Sequence, residues 1–213
     1  MNFSIAANNM ATPRLEELVI TIRAPSTPSP AFRFALAEIG RFLGYEISKQ
    51  LTSTPTRIKT SLGKEAIHYP LEQNPVLITI LRAGIPLYQG LQDAFPNAES
   101  GFIGSMRDET TLQPKTTYLA LPNLEGKTAI ICDTMLATGG SICDAVCTVQ
   151  DRGAREIYVC SAIAAAPGVR KVEGLVPRDH IYFAALDDEL NDKGYIVPGL
   201  GDAGDRSFGK KID

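Results

Sequence analysis

The sequence has little excess charge, few histidines, few cysteines and no long apolar run, and each shortage removes a class of function. Across 213 residues, 21 Lys and Arg stand against 24 Asp and Glu, a net charge of −3. No broad positive field attracts nucleic acid or anionic membrane, and any basic site must be local. The longest apolar stretches fall short of the roughly 20 residues that span a bilayer. Met1 to Thr12 lacks the charged-then-apolar order of a secretion signal and reads as a frayed tail, which points to a cytoplasmic protein. The two histidines, His68 and His180, and the four cysteines, Cys132, Cys143, Cys147 and Cys160, form no zinc-ligand spacing. The cysteines read instead as small buried hydrophobes in a reducing compartment.

Two nucleotide loops are missing as well. No lysine follows the Gly-Gly pair, so the triphosphate loop G-x-x-x-x-G-K-S/T is absent. The glycines are adjacent, so the dinucleotide pattern G-x-G-x-x-G is absent too. What is present is Ile130-Ile131-Cys132-Asp133-Thr134-Met135-Leu136-Ala137-Thr138-Gly139-Gly140-Ser141. An apolar strand ends in one acid, a turn rich in hydroxyls and glycines follows, and a helix begins. Unpaired N–H groups and the helix dipole at such a start favour an anion. Glycines let backbone approach the anion, and Thr138 and Ser141 add hydroxyl donors. Asp133 would repel a phosphate but can accept hydrogen bonds from sugar hydroxyls beside it. The run therefore suggests a ribose 5-phosphate site, although a Gly-Gly turn without ligand is the plainer reading of T-G-G-S alone.

The rest of the chain alternates apolar strands with helical segments. Pro13 to Arg23 places Leu15, Leu18, Val19 and Ile22 on one helical face. A second helix opens with Ser29 as N-cap and Pro30 in its first turn, and carries Phe32, Leu36, Ile39, Leu43 and Ile47. Arg57 to Tyr69 suggests a hairpin around Leu62-Gly63-Lys64. Strands are expected at Val76–Leu81, Phe102–Met106, Lys127–Cys132, Ile157–Ile163 and His180–Ala185, with helical or turn segments at Leu87–Ala94, Ser141–Asp151 and Gly168–Gly174. Near-continuous apolar strands separated by helices imply a parallel sheet covered on both faces, with ligands at the carboxyl ends of the strands.

Three more segments have two readings each. Leu81-Arg82-Ala83-Gly84 at a strand end is a surface arginine beside a turn, or a guanidinium aimed at a diphosphate. Ser105 to Pro114 is a solvated hairpin or a covering arm. Tyr195 to Gly209 has too many glycines for a helix or central strand, and its acids do not fit an EF-hand. It is a loose C-terminus or a loop of backbone donors.

Taken together, these motifs resemble the type I phosphoribosyltransferases, and the single acid before M-L-A-T-G-G-S resembles their uracil branch. So does Y-I-V-P-G-L-G-D-A-G-D at Tyr195–Asp205. The resemblance runs from about Phe32 to Gly209. It implies an α/β fold with a central parallel five-stranded sheet flanked by helices. The chain is expected to form one domain over residues 1–213, with an N-terminal helical appendage over 1–50, a β-arm, and a hood over 190–213. It implies transfer of the phosphoribosyl group of 5-phosphoribosyl 1-diphosphate (PRPP) to uracil, giving UMP and diphosphate in pyrimidine salvage.

Residue by residue, the resemblance places PRPP on Asp133, Thr134, Met135, Leu136, Ala137, Thr138, Gly139, Gly140 and Ser141. It places the diphosphate on Arg82, in a loop where a cis peptide is common, and on Arg107 of the covering arm. Uracil is expected at Ile196, Gly201, Asp202 and Ala203, with Asp202 also facing PRPP. Arg82, Arg107, Asp133 and Asp202 are the expected catalytic set. No residue stands out as a general base; Asp202, through water, is the candidate. Mg²⁺ is expected to bind mainly through PRPP, with no dedicated protein metal site. Family members form homo-oligomers, dimeric or larger, and GTP is a candidate activator. Thr134 departs from the branch's usual proline and is expected to make the loop slightly less rigid. A regulator that senses uracil and binds RNA would need a basic stripe, and the lysines and arginines here are scattered. A paralogue for cytosine, orotate or a purine is disfavoured by the hood motif.

Overall fold

The computed structural model describes residues 12–107 and 114–211. Helix α1 (Pro13–Arg23) starts where Thr12 accepts a hydrogen bond from the Leu15 N–H and Pro13 takes the first helical position. Helix α2 (Ser29–Ser48) follows. Ser29 is its first residue rather than its cap; Pro28 holds the cap position and supplies no side-chain bond. The expected hairpin forms from β1 (Thr56–Lys59) and β2 (Glu65–His68).

The core sheet has six strands in the order β5-β4-β3-β6-β7-β8. They are β3 (Val76–Leu81), β4 (Ser100–Arg107), β5 (Pro114–Ala120), β6 (Thr128–Leu136), β7 (Glu156–Ala165) and β8 (Ile181–Asp187). Five run parallel and are the five expected; β5 joins the edge antiparallel to β4, with register Phe102↔Ala120. Ser105–Arg107 and Pro114 therefore belong to strands at the base of the expected arm. The arm's remaining residues, 108–113, lie outside the described residues, as does the expected frayed tail through residue 11.

Two-residue periodicity sorts the sheet's side chains into two cores. Leu77, Ile130, Cys132, Tyr158 and Cys160 face α1, α2 and α3 (Ile85–Ala94). Val76, Ile78, Ala129, Ile131 and Val159 face α4 (Gly140–Gln150) and α5 (Ala166–Val172). The first two helices are thus part of the covering of the sheet, with Phe32, Leu36, Ile39, Leu43 and Ile47 fully buried. Burial pushes the Cys132 thiol up to about 12, and Cys160 well above its usual value, which fits inert core residues. Cys147 differs from the expectation and is exposed on α4.

The tail also differs from its sequence reading. A two-residue strand pair, β9 (Glu189–Leu190) with β10 (Ile196–Val197), is followed by helix α6 (Ala203–Phe208). Asp202 makes this helix viable despite the glycines, because its carboxylate accepts the Asp205 N–H at 2.8 Å. No helix among the described residues is long and apolar enough to cross a membrane.

Helices α2 and α3 cross at Gly40 and Gly90. A Cβ on Gly90 would collide with the Ala37 carbonyl, and one on Gly40 with the Leu87 carbonyl. Alanine improves helix propensity, but here the obstruction is backbone, which cannot rotate away. Gly90→Ala is therefore expected to lose about 1–3 kcal/mol by urea denaturation.

Candidate active site

The carboxyl ends of β3 and β6 meet at the site. Strand β6 continues to Leu136 through pairing of Met135 with Ile163 of β7, four residues beyond its expected end at Cys132. The phosphate loop is correspondingly short. Gly139 caps α4 with φ +77°, a conformation natural to glycine, and α4 has no side-chain cap. A 150 Å³ pocket at its N-terminus is lined by Asp133, Met135, Ala137, Thr138, Gly139, Gly140 and Ser141. The Gly140 N–H reaches Thr138 Oγ1 at 3.5 Å, and the helix dipole suits an anion there.

A second pocket, of 180 Å³, lies at the end of β3, with Arg82, Ala83, Asp133, Ser141, Asp202 and Lys211 among its walls. The Leu81–Arg82 peptide is cis. Gly84 sits flush against β6, because a Cβ would meet the Cys132 carbonyl oxygen at 3.0 Å. Arg82 Nη2 is 3.7 Å from Asp205. This exposed pair is weak, and a diphosphate oxygen would compete with it for the guanidinium.

The third pocket, of 330 Å³, lies under the tail, where Ala83, Asp133, Lys193, Tyr195, Ile196, Gly201, Asp202 and Ala203 line it. Asp133 borders all three pockets. Its carboxylate accepts the Thr134 N–H at 2.7 Å. Burial raises its pKa to about 7, against the lowering effect of the Thr134 and Met135 N–H groups.

The tail is held in place by arginines of α1 and α2 and by its own Arg206. Arg23 of α1 grips Asp187 at 2.7 and 2.9 Å and also donates to the Gly199 carbonyl at 2.8 Å. The Gly199 N–H returns to Asp187 at 2.9 Å. Arg206 stacks on Phe32 at 4.2 Å and donates to the carbonyls of Ile22, Leu200 and Ala24. Arg33 donates to the Ser207 carbonyl at 2.7 Å.

These features leave one pocket at a helix N-terminus and one beside Arg82, next to a third under the tail, and comparison with known proteins gives the matching lineage. The sequence model described as uracil phosphoribosyltransferase matches residues 9–210. The chain belongs to the uracil phosphoribosyltransferase family. It is 43% identical to the uracil phosphoribosyltransferase of Malacoplasma penetrans over 93% of this chain and 97% of that one. It is 40% identical to that of Bacillus thuringiensis, over 93% and 96%. A solved protein of Aquifex aeolicus superposes with a TM-score of 0.87 at 34% identity, covering 96% of this chain and 99% of that one. A purine phosphoribosyltransferase of Pyrococcus horikoshii shares the fold, with a TM-score of 0.51 at 16% identity over 72% and 83%.

Of the residues expected from sequence in this uracil phosphoribosyltransferase family member, Arg82, Asp133, Met135, Ala137, Thr138, Gly139, Gly140 and Ser141 line the pockets. So do Ile196, Gly201, Asp202 and Ala203. Thr134 and Leu136 are instead buried. Arg107 is the last residue of β4, at the base of the arm. Lys193, Tyr195 and Lys211 were not singled out from sequence. Tyr195 begins the hood motif and carried that signal, whereas nothing in the spacing marks Lys193 or Lys211.

Two outcomes follow from this wiring. Asp187 is almost fully buried, so Arg23→Ala strands its charge and is expected to cost about 3 kcal/mol in urea denaturation. Adding Asp187→Asn should recover part of that loss. Asp133 retains its proton in the folded state at pH values where the unfolded chain has released it. Its burial therefore weakens the fold progressively as pH rises from about 4 to about 7. Thermal melts should show Asp133→Asn free of this decline and more stable than the parent at pH 8.

Proposed function

We propose that the protein is a uracil phosphoribosyltransferase, converting uracil and PRPP to UMP and diphosphate in pyrimidine salvage. The observation that carries this reading is Asp133 bordering a phosphate cradle, an arginine-lined pocket and the hood pocket at once. PRPP has the same connectivity: one ribose joins a 5-phosphate, a 1-diphosphate and the site of attack. Family membership supports the same assignment.

In this reading the backbone of Ala137–Ser141 holds the 5-phosphate, and Asp133 accepts the ribose hydroxyls. Those hydrogen bonds favour the ionised carboxylate, so PRPP binding should lower the Asp133 pKa and strengthen as pH rises through about 7. Arg82, with Arg107 from the arm and Lys211 beside it, compensates the negative charge that develops on the leaving diphosphate. Closure of the arm excludes water that would otherwise hydrolyse PRPP. The hood presents uracil N1 to C1 of the ribose, and departure of diphosphate leads its attack, with inversion at C1. Positioning and electrostatics supply most of the acceleration.

Main-chain groups at Ile196, Gly201 and Ala203 read the acceptor–donor–acceptor edge of uracil. Cytosine reverses two of those groups and would leave buried partners unpaired, at a cost on the order of several kcal/mol.

Asp133 and Asp202 are the carboxylates that face the arginine-lined pocket, and they suit a Mg²⁺ held chiefly by PRPP oxygens. Bound there, the ion would supply further positive charge to the diphosphate. PRPP is too highly charged to cross a membrane unaided, which supports a cytoplasmic enzyme. The exposed apolar side chains Ile58, Leu62, Ile67 and Tyr69 on the β1–β2 hairpin support a homo-oligomer. We take residues 1–213 as one functional domain whose final segment is the hood.

Purified protein with PRPP and Mg²⁺ should form UMP from uracil and little product from cytosine, orotate or hypoxanthine. Turnover of another base with no UMP would overturn the assignment. Asp202→Asn keeps an N-cap acceptor for α6, so the melting temperature should hold while kcat falls roughly 10–100-fold.

A further inference from the structure

We propose that Thr134 is a positioning residue for the diphosphate. Its buried hydroxyl fixes the Arg82–Ala83–Gly84 turn to the strand end that carries Asp133. The inference rests on PRPP being the substrate of these pockets.

Thr134 is fully buried, so its side chain binds no ligand directly. Its Oγ1 donates to the Ala83 carbonyl at 2.6 Å, a bond between residues 51 apart in sequence. Its N–H donates to the Asp133 carboxylate at 2.7 Å. One residue thus ties together the acid assigned to the ribose and the turn assigned to the diphosphate. Ala83 lines both the Arg82 pocket and the hood pocket, so a shift of its peptide moves a wall of each.

The turn has other anchors, and none of them bonds the Ala83 carbonyl. The Gly84 N–H bonds the Ile80 carbonyl at 3.1 Å, the Ile85 N–H bonds the Arg82 carbonyl at 3.2 Å, and Gly84 packs against the Cys132 carbonyl. These leave the carbonyl side of the Ala83–Gly84 peptide to Thr134. The Thr134 hydroxyl is the hydrogen-bond donor to the Ala83 carbonyl from the β6 side among the described residues. Without it, the Ala83 carbonyl loses its partner and the Ala83–Gly84 peptide is held only through its N–H, so the turn is less firmly set. Arg82 would then spend less time aimed at the leaving oxygens, which affects PRPP and the transition state more than uracil. A purely structural hydroxyl would change melting temperature and leave that preference untouched.

The test is steady-state kinetics on Thr134→Val, Thr134→Ala and Thr134→Ser, with melting temperatures measured in parallel. The expected result for Val and Ala is a KM for PRPP raised about tenfold, a lower kcat, and a KM for uracil within about twofold of the parent. Thr134→Ser keeps the hydroxyl and should restore the parent values. Thr134→Ala covers the case in which the valine methyl, pressed on the Ala83 carbonyl, prevents folding. Parent-like kinetics in Ala or Val overturns the proposal, as does an equal rise in both KM values or a serine variant as impaired as alanine. If the parent enzyme forms no UMP, the functional reading itself has failed. A parent that forms UMP beside unaffected variants removes only the role of Thr134.

Discussion

The bidentate pair of Arg23 with Asp187 is the interaction on which the geometry of the pocket under the tail depends. Asp187 ends β8, Arg23 ends α1, and both bond Gly199 at the entrance to the hood. A glycine-rich segment has few side chains of its own to hold a conformation. Arg23 of α1 and Arg33 of α2 fix it from outside, and its own Arg206 reaches back to the carbonyls of Ile22 and Ala24. The N-terminal helices therefore serve the site as well as the core. They bury one face of the sheet and supply Arg23 and Arg33, which fix the tail segment. The pair is enclosed, so its value lies less in net stability than in allowing one arrangement of three chain segments.

Much of this architecture was legible in the sequence, for physical reasons that differ by region. The five parallel strands announced themselves because burial on both faces requires continuous apolar runs such as Val76–Leu81. The turn between β6 and α4 was legible because its glycines mark a chain reversal, and Gly139 has a positive φ. The antiparallel edge strand β5 was not legible, since Pro114–Ala120 is half polar and takes its structure from pairing with β4. Helix α6 was hidden by its glycines, because the cap from Asp202 outweighs propensity over so short a span. Strand β6 outran its apolar stretch because β7 continues beside it and supplies partners as far as Leu136.

Thr134 shows the same limit at a single residue. Compared with proline, threonine suggested only added freedom in a loop. The structure places it in the strand, fully buried, with its N–H on Asp133 and its hydroxyl on Ala83. Local propensity carried no hint of a bond to a residue so distant in sequence. Asp133 presents the complementary case: its type and position were readable, but its burial was not. Held among three pockets, the carboxylate favours its proton, so the fold is less stable above neutral pH than it would be with a neutral side chain there.

The long-range character of the hood's anchors has a consequence for the order in which the site is made. Arg206 reaches back to the Ile22 carbonyl across 184 residues, and Arg33 meets Ser207 across 174. Such contacts close late, because loop entropy must be overcome before they form. The phosphate cradle, by contrast, is assembled from β6, α4 and the adjacent β3 turn. The pocket at the start of α4 thus draws on contacts that can form early, whereas the pocket under the tail waits for contacts between segments far apart in sequence.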